Sequence, residues 1–450
     1  MAACAAASEQ GARVLLIEAA PRTGGSTALS GGVFYAAGTS LQAEAGVVDP
    51  GTENMYHYYM ALNQFKLEAS LVRRLCYEAA ANFEWLRRIG VEFRVEDLYC
   101  AGVDKVRRGH RAMGGGAAIT DAIEGSFGGL AVDALVNTRV ERLLFNGDRV
   151  TGVSVAGTEV TANAVVIATG GFGANTSKLA ELYPDAAQHG SLHWYIGAKT
   201  CRGDGLDLGK QAGAVLTRHN RGLLLLSPNF HADLEPYLPG WLMFVNADGQ
   251  RFIDESVEYS VLSSVVNDLP RRECYALFDE DARLGSRVSA YRPAPSWTAD
   301  RLQQSAADGT LFCAPTLEGL AGLLDMPPSA LVATVERYNH DVRKGFDQGF
   351  FKAEDMLRLV AKPPFYAAVV RASVICWTGV GLKIDSNAHV LDASGTPILG
   401  LYAAGETTGG MFGECYPSGG ASIGNAIVFG RIAGAGAASF SRTVNYPARC

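Results

Sequence analysis

No pair among the nine cysteines has the short spacing that zinc or iron–sulfur ligation needs. They stand at 4, 76, 100, 201, 274, 313, 376, 415 and 450. Their odd number and scatter argue against a disulfide scaffold and predict free thiols in a reducing compartment, the cytoplasm. Positive charge is not in excess. Lys+Arg number 39 against 46 Asp+Glu, a net charge of −7, which speaks against a broad nucleic-acid surface. No apolar run reaches membrane-spanning length without a breaker, so no span is expected. No basic segment precedes an apolar core at the start of the chain, so no signal peptide is expected either. Internal repeats, low-complexity segments and metal-ligand clusters are also lacking.

Apolar residues and glycine are plentiful. The chain has 450 residues, 48% of them hydrophobic, enough for a large core and two domains. Its 52 glycines exceed the usual share of about 7% and predict tight turns and close backbone approaches. The densest stretch is Gly400–Gly436: an apolar strand breaking at Gly405-Glu406, a glycine-rich loop, then an apolar helix from about Ala421. The N–H groups opening that helix would point back at the loop and suit an electron-rich ring. The plain alternative is a glycine-rich connection in an α/β core.

Residues 1–10 read as an alanine-rich helix closed by Gly11, and Ala12–Glu18 (ARVLLIE) as a buried parallel strand. Helix, glycine, strand and terminal acid make the second half of a nucleotide-binding βαβ unit, with Glu18 placed for ribose hydroxyls. The preceding strand and its G-x-G-x-x-G loop are lacking. Without them, dinucleotide binding should weaken and neighbouring strand edges should go unpaired.

Gly24–Gly32 (GGSTALSGG) forms a second glycine-rich loop with small donors at Ser26, Thr27 and Ser30. Residues 53–90 read as mostly helical, and Tyr99 falls in an irregular stretch. Arg107, Arg108, His110 and Arg111, next to Gly114-Gly115-Gly116, read first as a solvated surface run and second as a ligand-facing loop. Short strands follow over 132–144, 149–155 and 158–160, then a buried strand at Val165–Thr169 ending in Gly170-Gly171, where open α/β sheets hold ligands. Asp204 precedes a helix over 206–212 and is placed either to cap it or to face a cofactor. Composition changes from about residue 225 to 362. Met243–Asn246 and Arg251–Ile253 read there as a strand pair around Asp248-Gly249.

Four motifs, GGSTALSGG, VVIATGGFG, NADGQRFIDES and GLYAAGE…FGRIAG, occur in this order. Together they resemble the FAD-dependent flavoprotein family that contains fumarate reductases and 3-ketosteroid dehydrogenases. The resemblance implies an α/β fold. It would pair a Rossmann-like, glutathione reductase-like FAD-binding domain (1–224 and 363–450) with an inserted α+β capping domain (225–362), the active site lying at their junction. It also implies non-covalent FAD, since the Gly24–Gly32 loop has no histidine. By the same resemblance Glu18 binds the adenosine ribose, and Gly24, Gly25, Ser26, Thr27, Ser30, Gly31 and Gly32 line the pyrophosphate and flavin. Ala168, Thr169 and Gly170 pass the adenine side, Asp204 and Glu406 approach the cofactor's polar chain, and Ser422 and Ile423 meet the flavin pyrimidine edge.

The departures point to a substrate. Where the fumarate-reducing branch has a catalytic arginine four residues past the motif's Glu255, this chain has Tyr259. Where that branch has histidine before Thr-x-Gly-Gly, it has Trp377. In place of an arginine-bearing loop it has Cys415–Gly420, with Tyr416. A dianion would lose its counter-charges, and a large flat apolar molecule would gain contact surface. Tyr259, Tyr416 and Gly420 resemble the ketosteroid dehydrogenase pattern. That implies Tyr416 and the Gly420 N–H on a ketone oxygen, with Tyr259, helped by Tyr99, taking the neighbouring proton. A free tyrosine titrates near about 10, so Tyr259 needs a lowered value or a proton relay. The expected activity is dehydrogenation of a 3-ketosteroid or similar flat cyclic ketone, with an unidentified electron acceptor. The alternatives are a reductase of an unsaturated acid or ketone, and a truncated, non-catalytic relative that binds FAD weakly.

Overall fold

The computed structural model describes residues 1–188, 190–217, 220–228, 238–285 and 297–444. They fall into two compact units. One comprises Met1–Gln188, Tyr195–Leu223 and the chain from Ile375 onward; the other comprises His189–Trp194 and Leu224–Val374.

In the first unit, α1 (Ala2–Glu9) is a buried alanine helix. β1 (Val14–Ile17) pairs in parallel with Val132–Leu135, Val14 opposite Val132. It has no second strand partner among the described residues, and Leu15 in it is 42% exposed. The strand is parallel as expected, but it is half-buried rather than buried. The GGST stretch forms a short helical turn, α2 (Gly25–Ala28), entered through Gly24 at φ +110°. β2 (Val33–Tyr35), β3 (Phe93–Tyr99) and β4 (Gly109–Ala112) make an antiparallel sheet in the order β2-β4-β3. Tyr99 therefore ends a strand rather than lying in an irregular stretch. Between β2 and β3 run α3 (Thr52–Leu62) and the amphipathic α4 (Ala69–Arg88).

The basic run is not solvated. Arg108 and His110 are both fully buried. Arg108 donates to Asp49 at 2.6 Å, to Asp104 at 2.9 Å and to Asn54 at 3.0 Å, so partners on three segments offset the cost of burying its charge. The triple glycine beside it opens α5 (Gly115–Gly125). A Cβ on Gly116 would stand 1.7 Å from the Thr27 carbonyl oxygen, so these glycines seat α5 against the Gly24–Gly32 loop. The expected strand over 132–144 divides at Asn137 (φ +53°) into β5 (Val132–Leu135) and β6 (Val140–Asn146). β7 (Arg149–Val155) and β8 (Thr158–Thr161) continue a meander from β6, followed by β9 (Val165–Ile167) and α6 (Asp204–Gln211).

The second unit is built on antiparallel pairing. β10 (Met243–Val245) lies against β11 (Glu273–Asp279), and β11 lies against the strand beginning at Phe365, Asp279 opposite Phe365 and Glu273 opposite Arg371. α7 (Tyr259–Asn267) precedes β11, and the long α8 (Pro328–Lys344) packs Leu331, Val335 and Tyr338 against Met243, Val245 and Leu277. Arg251–Ile253 is not the returning strand the turn predicted. Arg251 is drawn into a buried cluster, bonding Glu255 at 2.8 and 2.9 Å and Asp347 at 2.9 and 3.0 Å. Lys352 joins at 3.3 Å from Glu255. Four charges that cancel are worth more paired than ladder bonds on one short strand.

The chain re-enters the first unit at Ile375. There β12 (His389–Leu391) pairs with β13 (Pro397–Ala403), which runs parallel to β9. α9 (Ala421–Val444) follows. This helix is long and apolar enough to cross a membrane by length and composition alone, although glycines interrupt it. But 61% of its most apolar window is buried, and it lies along α1. A Cβ on Gly434 would come 2.1 Å from the Ala3 carbonyl oxygen, so small residues on both helices set their spacing. The eight described cysteines are free thiols, and Cys450 lies outside the described residues.

His110 gives the fold a pH dependence. Burial pushes its pKa down to about 4, although the Phe34 and Arg108 carbonyls pull the other way. The unfolded imidazole titrates near about 6.5, so the unfolded chain takes up a proton first as pH falls. Stability owed to neutral His110 is full above that value and is lost as pH falls towards 4, by about 3 kcal/mol. Urea midpoints at pH 7.5 and 4.5 should show this loss, and His110→Gln should flatten it. An equal slope in the variant would remove His110 as the cause.

Candidate active site

Glu18 follows β1 directly. Its Oε1 accepts the Ala20 N–H at 2.7 Å, which turns the carboxylate around the strand end. In the Gly24–Gly32 loop, Ser30 Oγ donates to the Thr27 carbonyl at 2.7 Å and the Ser30 carbonyl accepts the Gly116 N–H at 2.9 Å. Side chains built on Gly25 or Gly31 would meet nothing within 4 Å, so one face of the loop stays open. Ser26 points elsewhere. Its Oγ accepts the Ala198 N–H at 3.0 Å, lies 3.3 Å from the Tyr195 hydroxyl and 3.6 Å from Cys201 Sγ.

Past the end of β9, Ala168 and Thr169 are exposed, and Gly170 turns at φ +73°. Asp204 does not cap α6. Gly203 holds the cap position, and the Asp204 carboxylate pairs with Arg139. Gly205, beside it, faces Thr169 and Thr407. Glu406 Oε1 accepts both the N–H and the hydroxyl of Thr378, each at 2.9 Å. Burial raises its pKa, against those bonds and the Gly171 N–H. Ser422 and Ile423 lie in the first turn of α9, and the Ser422 N–H donates to the Tyr416 hydroxyl at 2.7 Å.

Several buried polar groups in this region lack partners among the described residues, and two of them bear on a cofactor. Both amide atoms of Asn425 and Oγ1 of Thr407 make no hydrogen bond, although Asn425 is only 1% exposed. Such groups are costly unless a ligand satisfies them. Together with the open face at Gly25 and Gly31, the exposed end of β9 and the Glu18 carboxylate, they fit a long cofactor with ribose, phosphate and a polar ring edge. FAD is such a molecule.

Tyr416 sits in a buried aromatic group. Its ring lies 5.4 Å from Phe412 and 5.9 Å from Trp377, which are 5.2 Å apart. Burial raises the Tyr416 pKa and Cys376 adds to this, while the Ser422 bonds oppose it. The phenol therefore stays protonated and acts as a donor. A Cβ on Gly420 (φ +94°) would strike the Val33 carbonyl at 2.7 Å, so only glycine fits there.

The loop carrying Tyr416 is held at three points. Asn63 donates to the Cys415 carbonyl at 2.9 Å and accepts its N–H at 3.1 Å. Tyr58 donates to the Pro417 carbonyl. The Gly419 N–H donates to Ala101 at 2.9 Å, two residues past Tyr99, whose ring lies under the Arg111 guanidinium at 5.1 Å. Sequence reasoning missed Asn63, Tyr58 and Asn425. Asn425 carried a signal, being a polar residue on the apolar face of a helix. Asn63 carried none, because its partner is 352 residues away. The structure thus brings Tyr416, Gly420 and the strand of Tyr99 together in one unit; Tyr259 opens α7 in the other.

Known proteins resemble this chain in sequence and fold. A probable fumarate reductase of Shewanella frigidimarina, Ifc3, is 32% identical over 96% of this chain and 72% of its own length. The open conformation of a flavocytochrome c3 fumarate reductase superposes with a TM-score of 0.69 at 30% identity, over 98% of this chain and 76% of that one. A 3-ketosteroid-Δ4-(5α)-dehydrogenase from Rhodococcus jostii RHA1, in complex with 4-androstene-3,17-dione, superposes at 0.79 with 24% identity over 97% and 94%, and so shares the fold. The family model described as FAD binding domain matches residues 1–423. The chain belongs to this FAD binding domain family and is an FAD-dependent oxidoreductase.

Proposed function

We propose that the chain is a dehydrogenase that introduces a ring double bond into a 3-ketosteroid or a similar flat cyclic ketone. The observation that supports this most is the environment of Tyr416. A protonated phenol stands among Trp377 and Phe412, its oxygen accepting an N–H from the first turn of α9. Tyr259 stands where the dicarboxylate branch has its arginine.

Tyr416 donates its proton in a hydrogen bond to the ketone oxygen, and the Gly420 N–H gives a second donor. The Ser422 N–H and the helix dipole draw charge from the phenol oxygen and strengthen that bond. The polarised ketone makes the neighbouring C–H acidic. Tyr259 takes that proton as the phenolate, its own phenolic proton having been passed on to solvent with Tyr99 assisting the relay. FAD, when bound, supplies the two-electron acceptor for the hydride that leaves the next carbon. The aromatic side chains keep water from the reacting carbons. The electron acceptor is a further partner, and the free thiols agree with a cytoplasmic location.

A second reading, reduction of an unsaturated acid, draws on the 32% identity with a fumarate reductase. Stopped-flow absorbance separates the two: ketosteroids should bleach the oxidised flavin, whereas unsaturated acids should reoxidise the reduced enzyme. Under the first reading, Tyr416→Phe and Tyr259→Phe should each slow bleaching about tenfold or more, with the visible flavin band retained. Unchanged rates would remove these residues from the reaction. FAD affinity gives a separate check. Asn425→Leu should weaken FAD about tenfold, as for a lost buried hydrogen-bonding pair, measured by titrating the apoprotein. Unaltered affinity would show that the Asn425 amide does not meet the cofactor.

A further inference from the structure

Arg221 lies between the segments that carry Trp377 and Tyr416. Its carbonyl accepts the Gly379 N–H at 2.8 Å. A Cβ on Gly379 would fall 2.6 Å from the Trp377 ring and 3.1 Å from the Arg221 backbone, so the two residues bracket that glycine. The guanidinium reaches the other loop, where a Cβ on Gly413 would lie 2.8 Å from its Nη1 and 2.4 Å from Asn63 Oδ1. Glycine at 413 thus gives the arginine its room, three residues before Tyr416.

The arginine side chain is only 12% exposed. Among the described residues its one charged partner is Glu414, at 3.5 Å, itself 58% exposed. A planar fork of five N–H donors is suited to two-point recognition of a carboxylate. A single contact at 3.5 Å to a solvated acid uses little of that capacity and is easily exchanged. The three positions at which the dicarboxylate branch has its polar anchors do not include residue 221, so the sequence motifs gave no sign of this cation.

We infer that Arg221 is a specificity-determining anion anchor. The ketone that Tyr416 receives carries a carboxylate at its far side, and that carboxylate displaces Glu414 from Arg221. The substrate class becomes a flat cyclic keto acid. This rests on the ketone reading of the site, and it confines that reading to molecules with one acidic end.

The anchor is tested by binding, apart from turnover. The oxidised holoenzyme is titrated with cyclohexanecarboxylate and with cyclohexanecarboxamide, followed by calorimetry. The acid should bind at least about tenfold tighter than the amide, the discrimination expected of a charge-assisted fork. Arg221→Met should abolish that preference and Arg221→Lys should restore part of it. Glu414→Gln, by removing the competing acid, should tighten the acid about threefold or more. Equal affinities in the unmodified enzyme, no binding of either compound, or an Arg221→Met variant that weakens both alike would overturn the assignment. If the acid preference holds while ketones fail to bleach the flavin, the anchor stands and the dehydrogenase reading falls.

Discussion

The bond from the Ser422 N–H to the Tyr416 hydroxyl joins the backbone of the longest core helix to the side chain proposed to do chemistry. It satisfies an N–H that the first turn of a helix otherwise leaves open. It also fixes which lone pair of the phenol is used, leaving the O–H to point away from the helix. Burial alone would make this phenol a weak donor by raising its pKa. The helix dipole offsets part of that effect where negative charge would build up. One interaction therefore holds the loop in place and polarises its donor.

The rest of the first unit keeps that bond in position. α9 can start at Ala421 because the loop before it is held by Tyr58 in α3, by Asn63 just past the end of α3, and by Ala101 two residues past β3. Those elements are set in turn by the buried Arg108 cluster. Arg108 ties Asp49 and Asn54, at the start of α3, to Asp104, which also accepts the Tyr35 hydroxyl at 2.8 Å. The Tyr35 ring lies 6.1 Å from Tyr59, tilted by 41°, and Tyr59 lies 6.2 Å from Phe412. A continuous chain of packed rings and ion pairs thus runs from a run of basic residues to the ring beside Tyr416. Removing a charge at its buried end would leave its partner unpaired, the costly way to break such a cluster.

Local features were legible in the sequence. The alanine helix, the Val-Leu-Leu-Ile strand, the two glycine stretches and the helix from Ala421 follow from periodicity and glycine placement, and the structure has all of them. Legibility failed where a residue's partner is distant in the chain. Arg108 and His110 looked solvated because a basic run usually is, and the acid that buries Arg108 lies 59 residues away. Arg251 looked like part of a hairpin because turn chemistry was the only local cue, and Asp347 is 96 residues on. Asp204 read either as a cap or as a cofactor contact; Gly203 takes the cap position in the left-handed conformation, and the acid pairs with Arg139.

The cluster around Arg251 also bears on which group can move a proton in the second unit. Glu255 is the acid of the recognisable motif and precedes Tyr259 by one helical turn's spacing. Its Oε1 accepts from Arg251 Nε and from the Phe244 N–H, both at 2.9 Å, and its Oε2 accepts from Arg251 Nη2 at 2.8 Å with Lys352 at 3.3 Å. A carboxylate with both oxygens engaged by donors is committed to holding the cluster together. Burial lowers the Lys352 pKa, while Glu255 pulls it back up; the Lys352 ammonium also donates to the Leu242 carbonyl at 2.6 Å. These charges serve as structure. They fix the turn that leads into α7, whose first residue is Tyr259, the proton acceptor proposed above.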